Sequence, residues 1–336
     1  MRNAKQFNDF LNNHVNLGKG SLEILDGNVD SLFRALKADA ELGPLVIKKD
    51  PQGSWAHKTI IQPQKGKEFD ADFMLVLHEN EGWADNPVEY RNAIKRALNG
   101  HPRYSTMPVS HSCRCVTVTY ANSHHIDIVP FLDLSDGRSV IVNGDDNEWE
   151  DADPQAFTNW MRERDDVSRG NLRKVIRLLK YLRDNSDWAG TKSIILTTLL
   201  GEQVNAEKTF YDPDYYGDLP TALVHIIEDL NDWLQSQIVM PNIEDPSGTG
   251  LTFDHRWDKP TFERLKDRIA GYTDSMRAAY DTEDEEDSLA QWASIFGDKF
   301  PTAAESSGST GGSSKFGAGA AAAGLGSSSS HSGRAG

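Results

Sequence analysis

At Asp153-Pro154 the apolar spacing of the chain changes from strand-like to helix-like, and this change divides what the chain can fold into. From about 45 to 145, short β-rich runs at 69–77, 115–120, 126–131 and 139–143 are separated by Gly, Asn, Asp and Pro, which predicts a sheet-centred region. Ahead of it Leu25, Val29, Leu32, Phe33 and Leu36 recur at spacings of three and four, predicting an amphipathic helix that ends before Leu42-Gly43-Pro44. Behind it the helical period is carried by Val175, Ile176, Leu178, Leu179 and Leu182, and again by Leu223, Ile226, Ile227, Leu230, Trp233 and Leu234. Pro220 and Pro260 stand where first-turn prolines start helices. The acidic run 283–287, just before Leu289, Trp292, Ile295 and Phe296, suits the N-terminus of a last helix, where negative charge complements the macrodipole.

The expected fold is therefore α+β, with a sheet-centred region and N-terminal helices over 1–150 and a helical lobe over 151–302. From 303 to 336 the composition collapses to Gly, Ser and Ala in 27 of 34 positions, too few large apolar side chains to offset the entropy of ordering, so a flexible tail is expected.

Composition narrows the function. With 336 residues, 38% of them hydrophobic, the chain can bury a substantial core, and no run approaches the roughly 18 apolar residues of a membrane span. The opening MRNAKQFNDF lacks the apolar centre of a signal peptide, so the expected compartment is cytoplasmic, without a membrane partner. Cys113 and Cys115 are the only cysteines, which excludes a disulfide framework; in an alternating run a strand would point both to one face. A formal charge of −16 repels a nucleic-acid backbone and disfavours long nucleic acids as partners, whereas divalent cations can bridge an acidic site to the phosphates of small nucleotides.

In Phe69-Asp70-Ala71-Asp72-Phe73 the carboxylates alternate with apolar residues, so a strand projects both aspartates from one face. Two like charges side by side are unfavourable unless they face water or share cations, and the spacing suits a pair of magnesium ions. Asp127, alone between Ile126 and Ile128, supplies a third ligand if its strand lies beside the first. Gly53-Ser54 precedes the aspartate pair; a glycine lets backbone amides approach phosphate oxygens, and the serine adds a hydroxyl donor. His111, His124 and His125 lie near Cys113, Cys115 and Asp127, but without a second Cys pair or a spaced His pair the structural reading is favoured over a transition-metal site. The tryptophans, among them Trp160, Trp233, Trp257 and Trp292, occur in helical contexts and are read as core.

Helix, Gly-Ser, Asp-x-Asp strand and later single-Asp strand together resemble the nucleotidyltransferase superfamily related to DNA polymerase beta. Gly53-Ser54-Trp55, Thr59-Ile60-Ile61 and the 69–72 segment look like the catalytic core of the oligonucleotide cyclases of bacterial anti-phage (CBASS) defence, relatives of animal cyclic GMP-AMP synthase. The 177–182 segment followed by Thr191-Lys192-Ser193 is similar to the part of that family in which a helix lysine and a downstream serine contact the donor triphosphate, and Glu244-Asp245-Pro246 and Arg256-Trp257-Asp258 look like its closing part. The resemblance covers roughly residues 20 to 300.

It implies a bilobal fold and the following roles. Asp70, Asp72 and Asp127 are catalytic and hold two Mg2+ or Mn2+ ions; Gly53, Ser54, Lys180 and Ser193 bind the substrate; ATP, GTP or other nucleoside triphosphates are joined into a cyclic di- or trinucleotide that activates a separate effector. Some such systems encode a ubiquitin-transfer-like ligase that acts on the cyclase C-terminus, which makes Gly336 a candidate conjugation site, beside the alternative of a passive linker. The sequence departs from the family at two places. Fifteen residues separate Ser54 from Asp70, so the turn 64–67 reads as an extension, and Ile194 stands where the animal synthase has a base-stacking aromatic. A nucleotidyltransferase that modifies RNA or protein, and a catalytically silent nucleotide-binding scaffold, remain as alternatives.

Overall fold

The computed structural model describes residues 3–63, 68–121, 124–186, 190–253 and 256–302. The tail at 303–336, with Gly336, and the turn at 64–67 lie outside the described residues.

Among the described residues seven strands form one mixed sheet: β1 (Val46–Gln52), β2 (Phe69–Leu77), β3 (Val109–His111), β4 (Val116–Tyr120), β5 (His124–Asp133), β6 (Ser139–Asn143) and β7 (Glu148–Asp151). Their order is β1-β2-β5-β4-β3, with β6 joined to β5 and β7 to β6. β2 and β5 run parallel and every other pairing is antiparallel. One sheet face carries Ala71, Phe73, Leu75, Ile126 and Ile128 into a core shared with two helices, α2 (Lys19–Lys37) and α4 (Val88–Gly100). The opposite face is polar at one end, with Asp70, Asp72 and Asp127, and apolar further along, where Met74, Val76, Val129 and Phe131 are buried. Alternation thus sets the aspartates apart from the core, and each fully buried apolar side chain beneath them adds about 1.5–3 kcal/mol.

The helical lobe runs through α5 (Pro154–Val167), α6 (Leu172–Asn185), α7 (Ser193–Glu202), α8 (Ala206–Tyr211), α9 (Leu219–Ser236), α10 (Lys259–Asp281) and α11 (Glu285–Phe296). Pro220 and Pro260 lie in the first turns of α9 and α10, and Asp284 caps α11 by accepting from the Asp287 amide, as the sequence indicates. Trp257 and Trp292 are buried in this lobe, and Trp160 and Trp233 pack partly buried against it.

Three features differ from expectation. The N-terminal helices do not act together: α2 covers the sheet, whereas α1 (Ala4–Phe10) and the π-turn Leu11–Val15 join the helical lobe. Phe7 stands edge-on to Trp292 at 4.8 Å and to Phe300 at 5.0 Å, and Asn3 Nδ2 donates to Ser288 Oγ at 2.8 Å. A seven-residue helix cannot hold itself in water, so this aromatic contact decides where it docks. Second, Gly53 is preceded by a strand, β1, and not by a helix and turn. Third, Cys113 lies in a bend and Cys115 just before β4, so the two cysteines are not same-facing residues of one strand. Among the described residues no helix is long and apolar enough to cross a membrane.

Candidate active site

β1 hands the chain to a single helical turn, α3 (Gly53–Ala56), set against β2. Gly53 has φ +59°, and a Cβ there would stand 2.7 Å from Asp72 Oδ2, so only glycine permits this turn to approach the carboxylate. In the parallel β2–β5 ladder Asp72 pairs with Asp127 and Asp70 with His125. Paired residues share a face, so the register brings together aspartates that lie 55 positions apart in sequence.

Electrostatics marks this face as unfinished without cations. Burial pushes the Asp72 carboxyl up to about 7, with Asp127 and Asp70 adding to the rise. Burial also raises Asp70, opposed by His125 and aided by Asp127 and Glu68. Asp127 Oδ1 accepts from Thr117 Oγ1 at 2.5 Å. Among the described residues no three acidic, His or Cys side chains close on a common point. The chemistry of the set, crowded carboxylate oxygens with costly negative charge, fits hard divalent cations.

The neighbouring histidines divide between faces. His125 Nε2 lies 2.5 Å from Glu68 Oε2 and its Nδ1 is 3.0 Å from Thr119 Oγ1, whereas His124 is stacked between Phe69 and Tyr120. Burial, with Asp127 close by, pushes the Cys115 thiol up to about 11, so it stays protonated near neutral pH.

Across the cleft stands α6. Lys180 is buried, at 4% exposure, and not the snorkelling surface lysine its isolated context suggests; its Nζ donates to Thr59 O at 3.0 Å and Thr59 Oγ1 at 3.2 Å. Burial, with Arg183 nearby, pushes its pKa down to about 7. Ser193 is the first residue of α7, and its Oγ accepts from Arg183 Nη1 at 2.9 Å. His57 stacks on Phe157 at 4.9 Å, and burial, with Lys180 and Arg173, lowers it to about 4, so it is neutral.

These walls enclose a cleft of about 340 Å³ between Gly53, Ser54, Asp70 and Asp72 on the sheet side and Lys180, Ser193 and Arg183 on the helical side. Gly53, Ser54, Asp70, Asp72, Lys180 and Ser193 thus line one cleft, and Asp127 adjoins it through its register beside Asp72. Ile194 also lines the cleft. Arg183 and the Thr59 anchor of Lys180 were not anticipated. A signal for Arg183 exists: Arg173, Arg177, Lys180 and Arg183 follow at intervals of four, three and three, one face of a helix.

Residues 1–165 match the profile of the Second Messenger Oligonucleotide or Dinucleotide Synthetase domain. The chain is 24% identical over 279 residues to the cyclic AMP-AMP-AMP synthase of an Acinetobacter species, covering 82% of this chain and 79% of that one. It is 25% identical over 210 residues to the c-di-GMP synthase of Roseivirga ehrenbergii, covering 52% of this chain and 53% of the relative. Among solved structures it is similar to E. coli MS115-1 CdnC with ATP, at TM-score 0.67 and 17% identity over 89% of this chain and 98% of that one. The Vibrio cholerae cyclic AMP-GMP synthase gives TM-score 0.67 and 15% identity over 90% and 98%. The α+β fold, a mixed sheet with helices, is that of these solved structures.

Proposed function

Through residues 1–165 the chain belongs to the Second Messenger Oligonucleotide or Dinucleotide Synthetase family, and on that premise we propose that it makes a cyclic oligonucleotide messenger from nucleoside triphosphates in bacterial anti-phage defence. The observation that carries the reading is the register of Asp72 against Asp127, with Asp70 on the same face, opposite the Lys180 and Ser193 wall.

Asp70, Asp72 and Asp127 would hold two Mg2+ or Mn2+ ions, which would supply positive charge against the negative charge that develops on the phosphate oxygens. Gly53 presents backbone amides, and Ser54 its hydroxyl, to the donor phosphates. Lys180 and Ser193 add positive charge and a hydroxyl donor from the helical lobe. Asp127, oriented by Thr117, receives the proton of the acceptor ribose hydroxyl. The hydroxyl oxygen bonds to the donor α-phosphorus, the bond from that phosphorus to the bridging oxygen breaks, and pyrophosphate leaves. Repetition in the same cleft closes a ring of two or three nucleotides. The ring then activates a separate effector. A cytoplasmic location follows from these substrates.

The test is incubation of the full chain with labelled ATP and GTP and Mg2+ or Mn2+. A phosphatase-resistant small product that disappears in Asp70→Ala/Asp72→Ala is expected. Label carried onto RNA or protein instead marks a macromolecule-modifying enzyme, and no transfer under any cation marks a silent scaffold.

A further inference from the structure

The geometry points to Arg183 as a direct phosphate ligand of this cleft, gripping the terminal phosphates of the donor triphosphate, while Lys180 acts chiefly as the strut that ties α6 to the Thr59 loop. This inference rests on the proposed function and assigns the grip on its substrate within that site.

The two cations of the helical wall are committed differently. Lys180 Nζ spends two of its three protons on the carbonyl and hydroxyl oxygens of Thr59, at 3.0 and 3.2 Å, and the residue is 4% exposed. Thr59 is itself bonded through its amide to Ser54 O at 2.8 Å. The lysine therefore fixes the segment that carries Gly53 and Ser54 to the opposite lobe, and swinging it into the cleft would leave both Thr59 oxygens without this donor. Arg177 reinforces the same seam, its Nη1 donating to Lys58 O at 3.4 Å.

Arg183 is held, yet still has donors to give. Its Nε donates to Asp184 Oδ1 at 2.8 Å, and its Nη1 to Thr191 O at 3.2 Å and Ser193 Oγ at 2.9 Å. These bonds lock the guanidinium plane, and Nη2 has no hydrogen-bond partner among the described residues. The side chain keeps 16% exposure and lines the cleft. Because Ser193 Oγ accepts from Arg183, its own proton is left to donate, so the pair offers the Nη2 amino group and a hydroxyl. A guanidinium held in a fixed orientation, with Nη2 left to donate, suits a phosphate oxygen better than a flexible ammonium. Asp184, also at the cleft, fixes the guanidinium through Nε.

The discriminating experiment is calorimetric binding, with Mg2+, of α,β-methylene-ATP and of AMP to the full chain and to Arg183→Gln, Arg183→Lys and Lys180→Met. The parent should prefer the triphosphate. Arg183→Gln should lose at least about tenfold of that preference, the worth of one charge-assisted hydrogen bond, while AMP affinity moves by less than about twofold. Lys180→Met should weaken both ligands alike, as loss of a strut does. An unchanged triphosphate-to-AMP preference in Arg183→Gln overturns the assignment. So does a fall in affinity for both ligands in that variant, which marks a merely structural arginine. If Arg183→Gln does not fold, Arg183→Lys decides: it keeps the charge and loses the fixed Nη2 donor, and an unchanged preference there overturns the assignment. A parent that binds AMP and the triphosphate equally but forms cyclic product refutes the phosphate grip alone. A parent that binds neither and forms no product refutes the proposed function with it.

Discussion

The two walls of the cleft are opposites that share one problem. The sheet wall crowds carboxylates until Asp72 is pushed up to about 7, and the helical wall buries an ammonium until Lys180 is pushed down to about 7. Burial is the first cause in both, so each wall is costly in the charged form it needs for substrate. In the proposed function, divalent cations would complete the sheet wall and phosphate oxygens the helical wall, so that a metal–triphosphate complex would supply both at once. Positional freedom differs as well. The aspartates ride on a nine-residue strand locked into a parallel ladder, whereas the helical donors are set by side-chain bonds among Arg183, Ser193 and Thr59.

The largest effect should come from breaking the sheet wall. Asp70→Asn/Asp72→Asn is expected to lower the rate of pyrophosphate release at least ~10³-fold, since the ions it holds carry several kcal/mol of the barrier. The same variant should melt no lower than the parent in the absence of divalent cations, because it removes crowded charge. A large loss of melting temperature would mean that the aspartates are structural.

Next comes the turn that touches that wall. Gly53→Ala meets Asp72 Oδ2 at 2.7 Å with φ +59°, and a displacement on the order of 1 Å should cost about 100-fold in the same assay. Near-parental activity would show that the turn does not position phosphates.

A smaller effect lies in the pH dependence of thermal stability without divalent cations. Asp72 is raised from 3.8 to about 7, so the folded state holds an extra proton in between, and its contribution to stability falls as pH rises through that window. Lys180 is lowered from 10.5 to about 7, so the folded state lacks a proton from about 7 to 10.5, and its contribution rises across that window. Together the two walls place a minimum near pH 7. His57, lowered from 6.5 to about 4, works against Asp72 on the acid side, with stability lost as pH falls between those values. Variant-minus-parent melting curves separate them: Asp72→Asn should flatten the acid limb and Lys180→Met the alkaline limb. Parallel curves would contradict the burial of charge in both walls. The smallest effect is a control away from the cleft. Gly27 lies within α2 with open space around its Cβ, and Gly27→Ala should stabilise by roughly 0.5–1 kcal/mol in urea unfolding without altering activity.

What the sequence discloses follows the same division. Asp70 and Asp72 are legible as a pair because period-two alternation is local, and Asp127 is legible as a lone acid in an apolar strand. Their convergence is not local, since nothing in 69–77 or 124–133 states that these strands run parallel as neighbours. The helix α4 was hidden inside a stretch read as sheet, although Tyr90, Ala93, Ile94, Ala97 and Leu98 carry the helical spacing; surrounding turn residues masked it. The docking of α1 into the helical lobe depends on aromatic partners nearly 300 positions away, Trp292 and Phe300. Lys180 reads as a surface residue on its own, and only the Thr59 loop, brought in by the sheet lobe, buries it. Side-chain bonds across a lobe seam have no local pattern, which is why the helical wall was the less legible of the two.

The central claim, that the two walls together join nucleoside triphosphates into a ring, is met most directly by the mass of the product. The full chain is incubated with ATP, GTP and Mg2+, the mixture is treated with phosphatase, and the surviving nucleotide is weighed by mass spectrometry beside the Asp70→Asn/Asp72→Asn variant. The predicted result is a species whose mass equals two or three nucleoside monophosphates less one water per linkage, with as many linkages as nucleotides, absent from the variant. A surviving product of the same mass from both proteins, or label found only on macromolecules, would contradict it.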